Sequence, residues 1–140
     1  AGFRKAKVNT RYFEDLINQI KNKPENFITK VAKGHSYWKA IDNDNMKFNA
    51  IVGNPPYQVM DGDAQASSVP VYQYFVSIAK KVQPNFISMI MPARWYAGGR
   101  GLDDFRADML SDKTIRSLHD YPKASDLFSN VGSKVDYAIS

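Results

Sequence analysis

The sequence predicts an α/β fold: a partial doubly wound sheet with crossover helices, closed by an antiparallel pair of strands. Three observations predict it. Two short apolar runs, Phe48 to Val52 and Phe86 to Met91, are bounded by turn residues and read as buried strands. Two segments with apolar residues at helical spacing, Tyr72 to Val82 and Leu102 to Leu110, follow them in alternation. Two further short runs, Ile115 to Leu118 and Val135 to Ile139, then occur with no helical segment between them. Alternating strand and helix implies parallel strands joined by crossover helices, and a final pair without a helix implies an antiparallel return.

Taken in order, Thr10 to Lys23 carries Phe13, Leu16, Ile17 and Ile20 on one helical face, and Pro24 ends the pattern. Phe27 to Val31 reads as a short strand, and Gly34 to Asn45 as a polar loop. Phe48 to Val52 is closed by Gly53, and Asp61 to Ser68 is a loop of small residues. The helix over Tyr72 to Val82 aligns Phe75, Ala79 and Val82. Ala97 to Gly101 is a glycine loop before the next helix, which aligns Leu102, Phe105, Met109 and Leu110. The whole of 1–140 reads as one partial domain, with a helix and loop over 1–45 and the strand-rich part over 46–140.

Composition narrows the function. The chain has no cysteine, which excludes a disulfide framework, a thiolate zinc site and a cysteine nucleophile within it. No apolar run is long enough to span a bilayer, and no signal peptide is evident, so a cytoplasmic location is expected. The net charge of +5 suits a polyanionic partner, because neutralising phosphates releases counterions. His35 and His119 lack a third ligand, and Asp42-x-Asp44 and Asp61-x-Asp63 lack the rest of a calcium loop, so no metal site is expected.

The chemistry concentrates in Asn54-Pro55-Pro56-Tyr57, directly after a strand. Open α/β sheets bind ligands at the carboxyl ends of their strands. Each proline fixes φ and removes a backbone donor, and a residue before proline is pushed out of the helical region. The tetrapeptide is therefore a stiff, extended turn that presents carbonyl acceptors with no competing donors. Asn54 adds a side-chain acceptor and Tyr57 a flat aromatic face. This set fits a planar amino group on a ring. Two acceptors gripping its hydrogens favour the localised lone pair that attacks, and fixed carbonyls need no reorganisation as charge develops on nitrogen. Stacking on Tyr57 would hold the ring in place.

At these residues the chain resembles the S-adenosylmethionine-dependent amino methyltransferases. Phe48 to Gln58 looks like their catalytic motif with its preceding strand. Val71-Tyr72-Gln73-Tyr74-Phe75, then Ile87 to Trp95, then Leu127-Phe128, is similar to the adenine-N6 DNA methyltransferases of restriction–modification systems. The resemblance covers Met46 to Ser140 and implies a Rossmann-like methyltransferase sheet, double-stranded DNA as partner and S-adenosylmethionine as methyl donor. It further implies that Asn54 and Pro55 bind the target N6, that Tyr57 stacks on the flipped base, and that Phe128 stacks on the other face. Methylation of a protein glutamine or another exocyclic amino group fits the same four residues, and a non-catalytic DNA-binding fragment is the alternative of a different class. Arg94, beside Trp95 and Tyr96, and Arg100 in the glycine loop are candidate DNA contacts.

These enzymes also carry a glycine-rich cofactor loop of the form Asp/Glu-x-Phe-x-Gly-x-Gly, and the sequence holds no such segment. Ala97-Gly98-Gly99-Arg100-Gly101 is the nearest candidate, but Asp104 stands where a third glycine would be. The expectation is that the cofactor half lies N-terminal to Ala1, that a target-recognition region also lies elsewhere, and that the segment alone is inactive. Where that half is missing, an exposed sheet edge would favour self-association.

Overall fold

A computed structural model of the chain describes residues 12–32, 48–59, 68–123, 128 and 137–139. Two compact units divide it, Ala1–Met46 and Lys47–Ser140.

In the first unit, helix α1 spans Leu16–Asn22 and helix α2 spans Pro24–Ala32. The helix expected from Thr10 is shorter than its pattern, since Tyr12 and Phe13 are not helical and Asp15 takes a left-handed backbone at the N-cap. Pro24 ends α1 as expected, and it also opens α2. Proline suits a first helical position, where its missing N–H would have no partner anyway. The strand expected at Phe27 to Val31 is therefore helical. Its β-branched residues favour a strand locally, but in the helix Phe27 turns inward to meet Phe13 with ring centroids 5.0 Å apart. Gly34 to Asn45 lies outside the described residues.

In the second unit the order is β1 (Ala50–Gly53), β2 (Gln58–Val59), β3 (Val69–Pro70), α3 (Tyr72–Val82), β4 (Phe86–Pro92), a 3-10 turn over Ala93–Tyr96, α4 (Asp103–Ser111), β5 (His119–Tyr121) and β6 (Tyr137–Ile139). The main sheet runs β1-β4-β6-β5, and β2 and β3 form a small ladder of their own. β1 and β4 are parallel, with Ala50 opposite Phe86 and Gly53 opposite Met89, and α3 is their crossover. β6 is antiparallel to both β4 and β5, so those two run in the same direction on either side of it. The mixed α/β architecture and the antiparallel closing pair agree with the sequence. The strand expected at Ile115 to Leu118 falls instead at His119–Tyr121. Ile115 is used as a core side chain, packed against the buried cluster, and Leu118 is 46% exposed.

One face of the sheet is dry. Met89 and Met91 of β4 pack with Tyr72, Val76 and Ala79 of α3 and with Leu102, Phe105 and Met109 around α4. The helical faces agree with the expected ones in part. α3 buries Ala79 as expected, together with Tyr72 and Val76, while Phe75 and Val82 are half-buried. Leu102, Phe105 and Met109 are buried as expected, and Leu110 is left 65% exposed. Nine residues form two and a half turns, too few to wrap a wide apolar stripe, so of the helix itself the core takes Phe105 and Met109. Alternation along the strands sends Val52 and Phe86 to the opposite face, where they are 78% and 59% exposed. A lysine fastens the two helices, with Lys80 Nζ of α3 2.7 Å from both Asp108 and Asp112 at the end of α4.

Candidate active site

Parallel strands present their carboxyl ends together, and two loops leave from that rim. The first follows β1. Gly53 ends the strand, and its backbone lies against Met89, whose Sδ would be 2.8 Å from a Cβ placed there. Asn54 is exposed, Pro55 is buried, Pro56 is exposed and Tyr57 is half-buried. The loop is tied at both ends. After Tyr57 the chain pairs in β2 with β3, Gln58 opposite Pro70, and the Tyr57 carbonyl accepts from the Val71 amide at 3.1 Å just before α3. Two-residue strands are too short for periodicity to reveal, so the sequence offered no sign of this clasp. Within the loop, the Tyr57 hydroxyl donates to Asn54 Oδ1 at 2.7 Å.

The second loop leaves from β4. Pro92 passes into the Ala93–Tyr96 turn, which buries Ala93 and Trp95 and leaves Arg94 and Tyr96 outward. Gly98, Gly99, Arg100 and Gly101 then all take positive φ, at 72°, 76°, 50° and 78°. Glycine adopts this backbone without penalty, whereas Arg100 carries strain there. The loop closes on itself. Asp103 Oδ1 accepts from the Gly99 amide at 2.9 Å, and the Leu102 amide donates to the Gly99 carbonyl at 3.0 Å. Gln73 Nε2 of α3 donates to the Gly101 carbonyl at 3.3 Å, and the Arg106 guanidinium to the Tyr96 carbonyl at 2.8 Å.

That closure decides the fit of a cofactor. A cradle for S-adenosylmethionine needs open space and free amides beside its glycines. Here the Asp103 carboxylate lies 2.7 Å from where a Gly98 Cβ would stand and already takes the Gly99 amide. Gly99 and Gly101 have open space around them, but with Asp103 seated against Gly98 and taking the Gly99 amide the loop does not fit the cofactor, as Asp104 in its sequence also suggests.

Three buried side-chain polar atoms lie on α3 and on the turn after β4. Trp95 Nε1 and Gln73 Oε1 have no hydrogen-bond partner, and the Tyr72 hydroxyl lies near the Trp95 backbone without reaching hydrogen-bond geometry. Burial pushes the Tyr72 hydroxyl up to about 12, opposed in part by the positive charge of Arg94 and by the Trp95 backbone. Tyr72, Gln73 and Trp95 fall in segments that carry the sequence resemblance, but no pattern in the sequence marks their unpartnered polar atoms.

Of the candidate residues, Asn54, Pro55, Pro56 and Tyr57 stand together at the end of β1, and Arg94 and Arg100 are exposed beyond the end of β4. Phe128 is half-buried, and the residues flanking it lie outside the described ones. His119 is exposed in β5, while His35, Asp42, Asp44, Asp61 and Asp63 lie outside the described residues. Among the described residues no group of three His, Cys, Asp or Glu side chains could hold a metal ion, and no helix is long and apolar enough to cross a membrane.

Comparison with known proteins bears on the same loop. A family model described as Eco57I restriction-modification methylase matches residues 1–128. An uncharacterized adenine-specific methylase of Mycoplasma pneumoniae is 30% identical over 86 residues, which cover 59% of this chain and 20% of that protein. The chain is thus similar to a small part of a much longer relative. No solved structure matches it.

Proposed function

This chain belongs to the Eco57I restriction-modification methylase family, and from that premise we propose that it carries the methyl-acceptor site of a site-specific DNA adenine-N6 methyltransferase. The observation that supports this most is the Asn54 to Tyr57 loop, whose two prolines carry no backbone N–H and whose Asn54 is exposed at the carboxyl end of a parallel strand, clasped by β2 and β3. Asn54 Oδ1 and the Pro55 carbonyl accept the two hydrogens of the target amino group. The prolines supply no N–H to compete, so the acceptors stay aimed at the nitrogen as it gains positive charge. The Tyr57 ring stacks on the extruded base and Phe128 covers its other face. Arg94 and Arg100 meet the DNA phosphates, positioning the duplex without reading its sequence.

The methyl donor in this reading is S-adenosylmethionine. In this reading residues 46–140 form the target-base half of a doubly wound catalytic domain. The exposed Val52 and Phe86 mark the sheet face that further structure covers, and isolated copies self-associate through the β1 edge. The protein works in the cytoplasm, where host DNA is found.

The test is product identity. The full-length parent protein, given duplex DNA and methyl-labelled S-adenosylmethionine, yields labelled N6-methyladenine after digestion of the DNA. Label recovered in N4-methylcytosine, or in a protein glutamine, would move the site to another acceptor of the same geometry.

A further inference from the structure

Tyr57 has two parts, and the hydrogen bond within the loop assigns them different tasks. An acceptor for a ring amino group must lie close to the plane of that ring, because the amino hydrogens lie there. A phenol ring stacked on the same base lies about 3.5 Å from that plane, the van der Waals separation of carbon faces. The phenolic oxygen lies in the plane of its own ring. With the base seated, Asn54 Oδ1 and the Tyr57 hydroxyl would then be about 3.5 Å apart or more. They are 2.7 Å apart in this structure. Seating a base coplanar with Asn54 Oδ1 therefore stretches the hydroxyl contact beyond ordinary hydrogen-bond length.

Building on the acceptor role given above to Asn54 and Tyr57, we infer that the Tyr57 hydroxyl is a latch on Asn54. It holds the side-chain acceptor in the loop until a base enters, and it must release that acceptor before the base can seat. The ring of Tyr57 belongs to the seated site, and its hydroxyl does not. Entry of adenine exchanges one donor at Asn54 Oδ1 for another, the phenolic O–H for an N6 hydrogen. The released hydroxyl turns to water, which a half-buried side chain beside an exposed Asn54 can reach. The latch therefore opposes base capture by the net strength of one solvent-facing hydrogen bond.

The experiment uses the full-length protein and duplexes carrying either adenine or purine, with hydrogen in place of the 6-amino group, at the position methylated in host DNA. Tyr57→Phe keeps the ring and deletes the latch. It is expected to tighten binding by about 2- to 5-fold, the lower part of the range for a single hydrogen bond. The gain should be the same for both duplexes, because either base must open the latch. In an Asn54→Ala background, which has no Oδ1 to hold, the gain from Tyr57→Phe should vanish. Weaker binding of both duplexes would make the hydroxyl a support of the seated site and overturn the latch. Weaker binding of adenine alone would place the hydroxyl on the amino group itself and overturn the latch as well. Unchanged binding of both would overturn it too. Failure of the underlying site is separate, since it shows as an Asn54→Ala protein that methylates normally.

Discussion

Two loops leave the same rim of the sheet, each following one of the paired parallel strands, and they are built on opposite principles. After β1 the chain uses two prolines, which strip donors from the backbone and leave acceptors facing out. After β4 it uses three glycines at positive φ, which free the backbone to curl, and Asp103 and Leu102 then absorb its polar groups. A glycine-rich loop at a strand end is the usual sign of a ligand cradle. In the proposed reading the proline loop carries the chemistry, and the glycine loop is a connection closed largely on its own polar groups. Position in the fold is shared between them, and what differs is which backbone groups remain unpaired.

The largest contrast is expected in catalysis. In the full-length protein, Asn54→Ala should lower the single-turnover rate of methyl transfer on the order of 10²–10³-fold, as for loss of one donor from an oxyanion hole. Binding of duplex DNA should change far less. An equal loss in rate from Gly99→Ala would show that the glycine loop shares the chemistry.

Stability should show the reverse pattern, with the glycine loop the more sensitive. Gly98→Ala places a side chain at φ 72° and drives it onto the Asp103 carboxylate. Strain of about 1–2 kcal/mol adds to about 1 kcal/mol for the displaced Asp103–Gly99 hydrogen bond. Gly99→Ala has similar backbone strain and open space around it, so it should cost only about 1–2 kcal/mol. Urea midpoints for the two variants measure the gap, and equal values would remove the packing role given to Asp103.

Acid should loosen the far end of α4. Hydrogen bonds from Lys80 and Thr114 hold the Asp112 carboxyl at about 2, below its ordinary 3.8. A carboxylate lowered on folding stabilises the protein at pH above its ordinary value and loses that contribution as pH falls through its folded one. Urea midpoints should therefore drop between about pH 4 and pH 2, and Asp112→Asn should flatten part of that slope and cost about 1 kcal/mol at neutral pH. Burial alone would lower Lys80, but its bonds to Asp108 and Asp112 outweigh that and raise it. Its contribution is present at neutral pH and is lost only on titration above its ordinary value of 10.5.

The smallest effect belongs to Arg100. Arg100→Ala should weaken binding uniformly across DNA sequences and reduce the salt slope by about one unit, leaving the methylated position unchanged. A change in sequence preference would mean that the glycine loop reads bases.

The contrast between the loops was legible in the sequence on one side only. The proline loop announces itself, because proline restricts its own φ and that of its neighbour whatever the tertiary context. The strand before it and the Tyr72–Val82 helix were equally plain, since each carries a long or well-bounded pattern, whereas the first strand of the antiparallel closing pair was placed too early, at Ile115 to Leu118 instead of His119–Tyr121. The glycine loop was ambiguous, because glycine permits a cradle and a closed turn alike, and only the position of the Asp103 carboxylate separates them. Phe27 to Val31 was ambiguous for a related reason, as five residues cannot separate a strand from a helix when Pro24 is taken only as a stop. The clasp of β2 on β3 and the Tyr57–Asn54 bond involve single pairs of residues, which leave no periodic trace.

The most direct test is the structure of the full-length protein bound to duplex DNA containing its target adenine. The adenine is expected to be turned out of the helix, its N6 about 2.7–3.2 Å from both Asn54 Oδ1 and the Pro55 carbonyl, with Tyr57 stacked on the ring. An adenine left in the duplex, or one whose amino group lies at Ala97 to Gly101, would contradict the acceptor role of the proline loop.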